Sequence, residues 1–247
     1  MKVCLITTSF PAFKDDTKGI FIFHLAKELS KKIDVSVITP FFKKSKNNLE
    51  LLGRVKVYRA QYFFPRSMQT VAEKSNILFE VKKSLISMIQ IPFLVLSMIM
   101  NGLKLSKNYD IIHAQWLFSG FVGALIKKLN RKKLILTIRG SDLNRIKNMR
   151  LIRFVLNNCN FIVSNNKKQY NKLKDLGYKN IALVYNGIDT ELFKPMNKKL
   201  CVKKSNLPIK KRIFIYIGWL DKHKGINYLY DAIKLANKKR NDLFFLF

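Results

Sequence analysis

Arg139 and Asp142 share one short glycine-containing segment, Thr137-Ile138-Arg139-Gly140-Ser141-Asp142, directly after an apolar run. A guanidinium is a planar fork of donors suited to phosphate or carboxylate. The nearby carboxylate can orient that guanidinium, bind a ligand hydroxyl, or cap the helix that follows. A second pair stands in Asp110-Ile111-Ile112-His113-Ala114-Gln115-Trp116. In extended backbone His113 and Gln115 point the same way and Ala114 the opposite way. His113 can bind a hydroxyl or fix the next loop. Gly19 closes the run from Thr8 to Lys18 and permits either a tight turn or close approach of a ligand to the backbone. The helix expected after it would offer free N–H groups. Asn186-Gly187, followed by Asp189, reads as a positive-φ turn with a cap, a hinge first and a ligand contact second.

These residues need elements to position them, and the pattern along the chain is strand then helix, repeated. Short apolar runs at 3–9, 35–39, 55–59, 111–114, 134–138, 161–164 and 181–184 predict strands. Helical spacing from residue 22 and over 120–129, 145–156 and 167–176, with a long apolar stretch at 72–105 broken by Pro92, predicts the helices between them. Alternation of this kind implies right-handed crossovers and a parallel sheet with helices on both faces. Ligands of such sheets bind beyond the carboxyl ends of the strands, where Gly19, His113, Gln115 and Arg139 all fall. Residues 194–211 read as a lysine-rich linker, after which a βαβ pattern restarts at 213–217, 225–236 and 243–247. The expected organisation is a Rossmann-like domain over 1–193, the linker 194–211, and an incomplete second Rossmann-like domain over 212–247.

Composition narrows the partners. The chain carries 47 Lys+Arg against 15 Asp+Glu, a net charge of +32, spread over its whole length. Lysine, asparagine, isoleucine and phenylalanine are all abundant, the pattern of an AT-rich coding sequence; the same excess also suits an anionic membrane face. No RNA- or DNA-binding signature accompanies the charge. The cysteines Cys4, Cys159 and Cys201 are odd in number and far apart, which fits neither zinc nor a secreted disulfide framework and favours a reducing cytoplasmic setting. The N-terminal apolar run is too short for a signal-peptide core. Residues 85–103 approach the length needed to span a bilayer, but Ser87, Gln90, Pro92, Ser97 and Asn101 interrupt them. A helix packed on the sheet or lying at a membrane surface is expected there.

Taken together, FP…KGIFIFHLAKEL, DIIHAQW, LTIRGSD and above all NGIDTELFKP resemble glycosyltransferase family 4, the retaining, nucleotide-sugar-dependent enzymes of GT-B fold. Gly19 stands at the family's glycine, Gln115 replaces its second histidine, and Arg139 takes a position often held by histidine. Gly218 through Gly225 is similar to the family's GR-x-x-x-x-KG element, with Lys224 kept and Trp219 where arginine is usual. The family's later Glu-x7-Glu element would lie beyond Phe247.

The resemblance implies an α/β GT-B scaffold with Arg139 and Asp142 as the catalytic pair. It implies substrate contacts from Gly19, His113, Gln115 and Asn186, and a grip on the donor diphosphate by Gly218, Lys224 and Gly225. It also implies a nucleotide-diphosphate sugar as substrate, no separate cofactor, and no metal; the sequence has no Asp-x-Asp pair. The expected acceptor is a saccharide or a lipid-linked saccharide at the inner membrane face. Two rival expectations are an inactive remnant whose donor half is missing, and a basic membrane- or nucleic-acid-binding module.

Overall fold

A computed structural model describes residues 1–13, 15–73, 85–140, 143, 149–218 and 220–247, with residue 223 described by its backbone only. Two compact units appear, Met1–Gly187 and Ile188–Phe247.

In the first unit the chain runs β1 (Lys2–Ile6), α1 (Ile20–Leu29), β2 (Asp34–Pro40), β3 (Leu49–Leu52), β4 (Val55–Ala60), α2 (Leu85–Lys104), β5 (Ile111–Gln115), α3 (Trp116–Asn130), β6 (Lys133–Ile138), α4 (Met149–Asn158), β7 (Phe161–Ser164), α5 (Lys167–Asp175) and β8 (Ile181–Leu183). The eight strands form one sheet in the order β3-β4-β2-β1-β5-β6-β7-β8. Every pairing is parallel except β3 with β4. The chain builds outward from β1 through β2 to β4, then returns to add β5, β6, β7 and β8 on the other side. The order therefore reverses between β1 and β5, and open α/β sheets part their loops at such a switch point.

Strand composition explains the layering. Ile6, Ile38, Ala60, Ile112, Ala114, Leu134, Leu136 and Ile138 face one side and bury with Leu94 and Met98 of α2 and with Val122 and Ile126 of α3. Leu5, Val35, Val37, Val55 and Val57 face the other side under Ile22 and Ala26 of α1. Strands apolar on both faces need both faces covered, so the apolar runs and the flanking helices have one cause.

Some elements differ from the sequence expectation. The antiparallel strand β3 was not anticipated, because Leu49 and Leu51 are exposed and its four residues are too few to alternate legibly. Helix α3 starts at Trp116, four residues before the expected 120. Of the long helix expected over 72–105, residues 74–84 lie outside the described residues and the rest forms α2, with Pro92 inside it.

The second unit holds α6 (Lys198–Lys204), β9 (Arg212–Ile215), α7 (Ile226–Lys239) and β10 (Leu243–Leu246). β9 and β10 pair in parallel, which makes this a βαβ unit. Helix α6 lies within the lysine-rich stretch; Asn197 caps it, its side-chain oxygen accepting from the Leu200 N–H at 3.2 Å.

Candidate functional site

The site grows from β5 and β6, whose register sets Gln115 beside Thr137. Because side chains alternate along a strand, His113, Gln115 and Thr137 share the α1 side of the sheet. Arg139 follows β6 directly and is buried, 7% exposed. Its Nε donates to Gln115 Oε1 at 2.9 Å, and its NH1 donates to Asn186 Oδ1. The Phe21 ring lies under the guanidinium, 4.9 Å from its centre, a cation–π arrangement. A fork held at two edges and one face has little rotational freedom left.

The network also determines a proton. A guanidinium can only donate, so Gln115 must present its oxygen to Arg139 and its amide NH2 elsewhere. That NH2 sits 3.1 Å from His113 Nε2, which must then be an acceptor, with the ring proton on Nδ1. The Thr137 hydroxyl approaches the same Nε2 at 2.8 Å. Burial, with the Arg139 charge second, pushes the His113 imidazole down to about 4, so it is neutral at physiological pH. His113 is thereby a neutral acceptor supporting Gln115, and Gln115 in turn aims Arg139.

Gly19 lies on the opposite side of the switch point. It caps α1 at φ 64, and a Cβ placed there would fall 2.3 Å from the Ser9 carbonyl oxygen. The first loop's own backbone therefore excludes any side chain at this position, which is the turn role weighed in the sequence. That packing sets where α1 begins and so where Phe21 meets Arg139. The turns bearing Gly19, His113 and Arg139 converge at one rim.

Three contributors lay outside the candidate set. Thr137 and Phe21 are in the network, and Trp116 meets Phe21 edge-on with ring centroids 5.9 Å apart. Trp116 sits at φ 65, left-handed backbone that costs a bulky residue about 1–2 kcal/mol. Backbone strain of this kind persists only where the surrounding structure holds it and clusters at functional sites. The sequence signal for it was its place immediately after β5.

Asn186 joins this rim from β8's exit, and its use there displaces the turn expected for Asn186-Gly187. Neither residue has positive φ, and the Asn186 amide oxygen accepts from Arg139 instead. Asp189 behaves as a cap, its Oδ1 accepting from the Glu191 and Leu192 N–H groups at 3.0 and 3.1 Å. Asp142 lies outside the described residues.

In the second unit Gly225 takes φ 75 and caps α7, directly after a 3-10 turn over Lys222–Lys224. The Lys224 side chain is exposed at that helix start, and Gly218 follows β9. A groove of about 340 Å³ between α4 and the end of α5, bordered by Arg153, Asn157 and Tyr178, carries none of the candidate residues.

A family model described as Glycosyltransferase Family 4 matches residues 19–192. Over 151 residues the chain is 31% identical to the uncharacterized glycosyltransferase MJ1178 of Methanocaldococcus jannaschii, covering 56% of this chain and 39% of that protein. It is 23% identical over 246 residues to TuaC of Bacillus subtilis, named as a teichuronic acid biosynthesis glycosyltransferase, covering 95% of this chain and 62% of that one. The matches thus span less than two thirds of either relative. Among solved structures, sucrose-phosphate synthase from Thermosynechococcus elongatus superposes with TM-score 0.75 at 17% identity, over 99% of this chain and 61% of that one. HepE of Anabaena, in complex with UDP-glucose, gives TM-score 0.65 at 15% identity, over 100% of this chain and 60% of that one. At such identities the structural likeness establishes a GT-B type fold.

Proposed function

The chain belongs to glycosyltransferase family 4, and on that premise we propose that it serves transfer of a sugar from a nucleoside-diphosphate donor to a saccharide or lipid-linked acceptor, with retention at the anomeric carbon. As the glycosidic bond to the diphosphate breaks, positive charge develops on the anomeric carbon and negative charge on the departing phosphate. Preoriented cations and helix N-termini stabilise such charge without rearranging during the reaction. Arg139 is the positioned cation of the first unit. Within the second unit, Lys224, Gly218, Gly225 and the start of α7 are the groups suited to a donor diphosphate. Gly19 and Asn186 shape the substrate side, while His113 and Gln115 hold Arg139 in register.

The single observation that carries this reading is the Arg139 guanidinium, buried at the carboxyl end of β6 beside the switch point and fixed by Gln115, Asn186 and Phe21. UDP-glucose in the HepE complex makes uridine-diphosphate sugars the first donors to try. The net charge of +32 and the apolar helix α2 motivate the lipid-linked form of the acceptor and peripheral contact with an anionic membrane at its cytoplasmic face.

The test is sugar transfer or donor hydrolysis by the purified chain across a panel of nucleotide sugars. Arg139→Ala should cut turnover by about tenfold or more. Arg139→Lys should fail to restore it, because an ammonium cannot reproduce the planar fork. Unchanged turnover in Arg139→Ala would remove Arg139 from the chemistry.

A further inference from the structure

Helix α2 turns Ser87 and Gln90 inward with part of its apolar set and leaves the rest of its apolar residues outward. The residues it buries are Ser87, Gln90, Leu94, Met98 and Gly102. They recur at three- and four-residue spacing and pack the helix against α3, β2 and β4. Gln90, and half-buried Ser97 beside this set, find their partners inside. The Gln90 oxygen accepts from the Thr70 and Val71 N–H groups at 3.1 and 3.2 Å, its NH2 donates to the Met68 carbonyl at 2.6 Å, and Ser97 donates to the Gln61 carbonyl at 2.6 Å.

The solvent side carries Leu85, Ile86, Met88, Ile89, Phe93, Leu96 and Met100, all exposed, with Leu85 at 79%. At about 100° per residue these side chains fill an arc of about 160°, and the buried set fills the arc opposite. No charged residue occurs between Leu85 and Leu103. The adjoining loop extends the surface: Phe63 meets Phe93 edge-on at 6.0 Å, Phe64 is 84% exposed, and Met68 is exposed. Exposed cations border it, Arg66 on that loop, Lys104 at the end of α2 and Lys107 just after it.

A water-facing helix normally shows the reverse pattern. Of the described helices, α2 alone is long and apolar enough to cross a membrane, yet its inward stripe is committed to the sheet. It can therefore lie in a membrane surface but not pass through one while the unit stays folded. Charge decides between occupants. A second copy would bring another +32 against this one, whereas anionic headgroups complement the bordering cations and the whole chain's field. Within the α2 arc the large exposed side chains are all apolar, bulk suited to acyl chains rather than to a polar protein partner.

We propose that the outward face of α2, with Phe64 and Met68, is a membrane-docking surface that embeds in the interface of an anionic bilayer and holds the first unit there. This extends the membrane part of the reading above and does not depend on the chemistry of transfer.

The test is co-sedimentation of the full chain with vesicles of equal parts phosphatidylglycerol and phosphatidylcholine, with no sugar donor present. The chain should bind these vesicles and bind pure phosphatidylcholine vesicles more weakly. The double variant F93E/L96E should lose affinity by about tenfold or more. A companion variant, L96W, should keep it and show quenching of its new indole, against the wild-type background, by lipids brominated on the acyl chain. Circular dichroism separates lost binding from lost folding; should F93E/L96E unfold, the quenching of L96W decides. Wild-type affinity in a folded F93E/L96E, or no acyl-chain quenching in L96W, overturns the proposal. So does a chain that is dimeric without vesicles and becomes monomeric with F93E/L96E, which would assign the face to a second copy. Loss of sugar transfer with vesicle binding intact would instead count against the transferase reading alone.

Discussion

The rim around Arg139 and the outward face of α2 depart from ordinary folding rules in opposite directions. At the rim, polar groups that water would solvate are buried: Gln115, Thr137 and Arg139 are nearly inaccessible. On α2, apolar groups that burial would stabilise are left in solvent. A buried polar network is tolerable only when its members are satisfied, and here the Arg139 fork, the Gln115 amide and the His113 acceptor each answer another. Among the described residues no side chain covers the exposed apolar arc, which marks it as a surface for a partner. Places where a sequence breaks the local rules are where function is expected. The rim spends its exception on orientation and α2 spends its own on adhesion.

Reversing polarity at each place should sharpen that contrast. The largest effect belongs to Gly19, whose replacement by alanine combines a positive φ with overlap against the Ser9 carbonyl. Gly19→Ala should lower unfolding free energy by about 3 kcal/mol or more in urea melts, in the upper range for single substitutions. Next comes Gln115→Leu, which strips a buried partner from both Arg139 and His113 and should cost about 2–3 kcal/mol.

A comparable effect is tied to acidity. The His113 pKa is held below its ordinary value, so the folded protein binds fewer protons than the unfolded chain between the ordinary 6.5 and about 4. Stability is therefore fully present above that window and falls as pH drops through it, by roughly 3 kcal/mol at most. His113→Asn should flatten this dependence when denaturant melts at pH 7 and pH 4.5 are compared. An unchanged acid slope would mean other groups cause it. The smallest effect is expected on α2, where Leu96→Gln should leave stability within about 0.5 kcal/mol. A large loss there would mean that the arc is covered within the protein, which would break the comparison.

The sequence made the site's scaffold legible and left its closing contacts hidden. Unbroken apolar runs announced the buried parallel strands, and the two-residue spacing of His113 and Gln115 put them on one side of β5, as found. Strand order was not readable, because β5 returning to lie beside β1 depends on tertiary packing. Asn186 reaches Arg139 across 47 positions of sequence, a distance at which no local pattern carries information. β3 escaped notice because an exposed edge strand needs no alternation.

Helix α2 is instructive in another way. Its length and apolarity were plain, but Ser87 and Gln90 would ordinarily be assigned to the wet side. Backbone groups of the loop at 68–71 recruit Gln90 inward, and that fixed the direction of every other side chain on the helix. Asp142, the carboxylate paired with Arg139 in the sequence reading, lies outside the described residues.

The claim at the centre is that Gln115 acts through Arg139 and not on its own. A double-mutant cycle in sugar transfer tests this most directly, comparing Gln115→Ala, Arg139→Ala and the pair, with thermal unfolding checked for each. Arg139→Ala should lower turnover about tenfold or more, Gln115→Ala should lower it as well, and the double variant should be no slower than Arg139→Ala alone. Losses that simply multiply in the double variant would contradict the account, because they would give Gln115 a role independent of the guanidinium it holds.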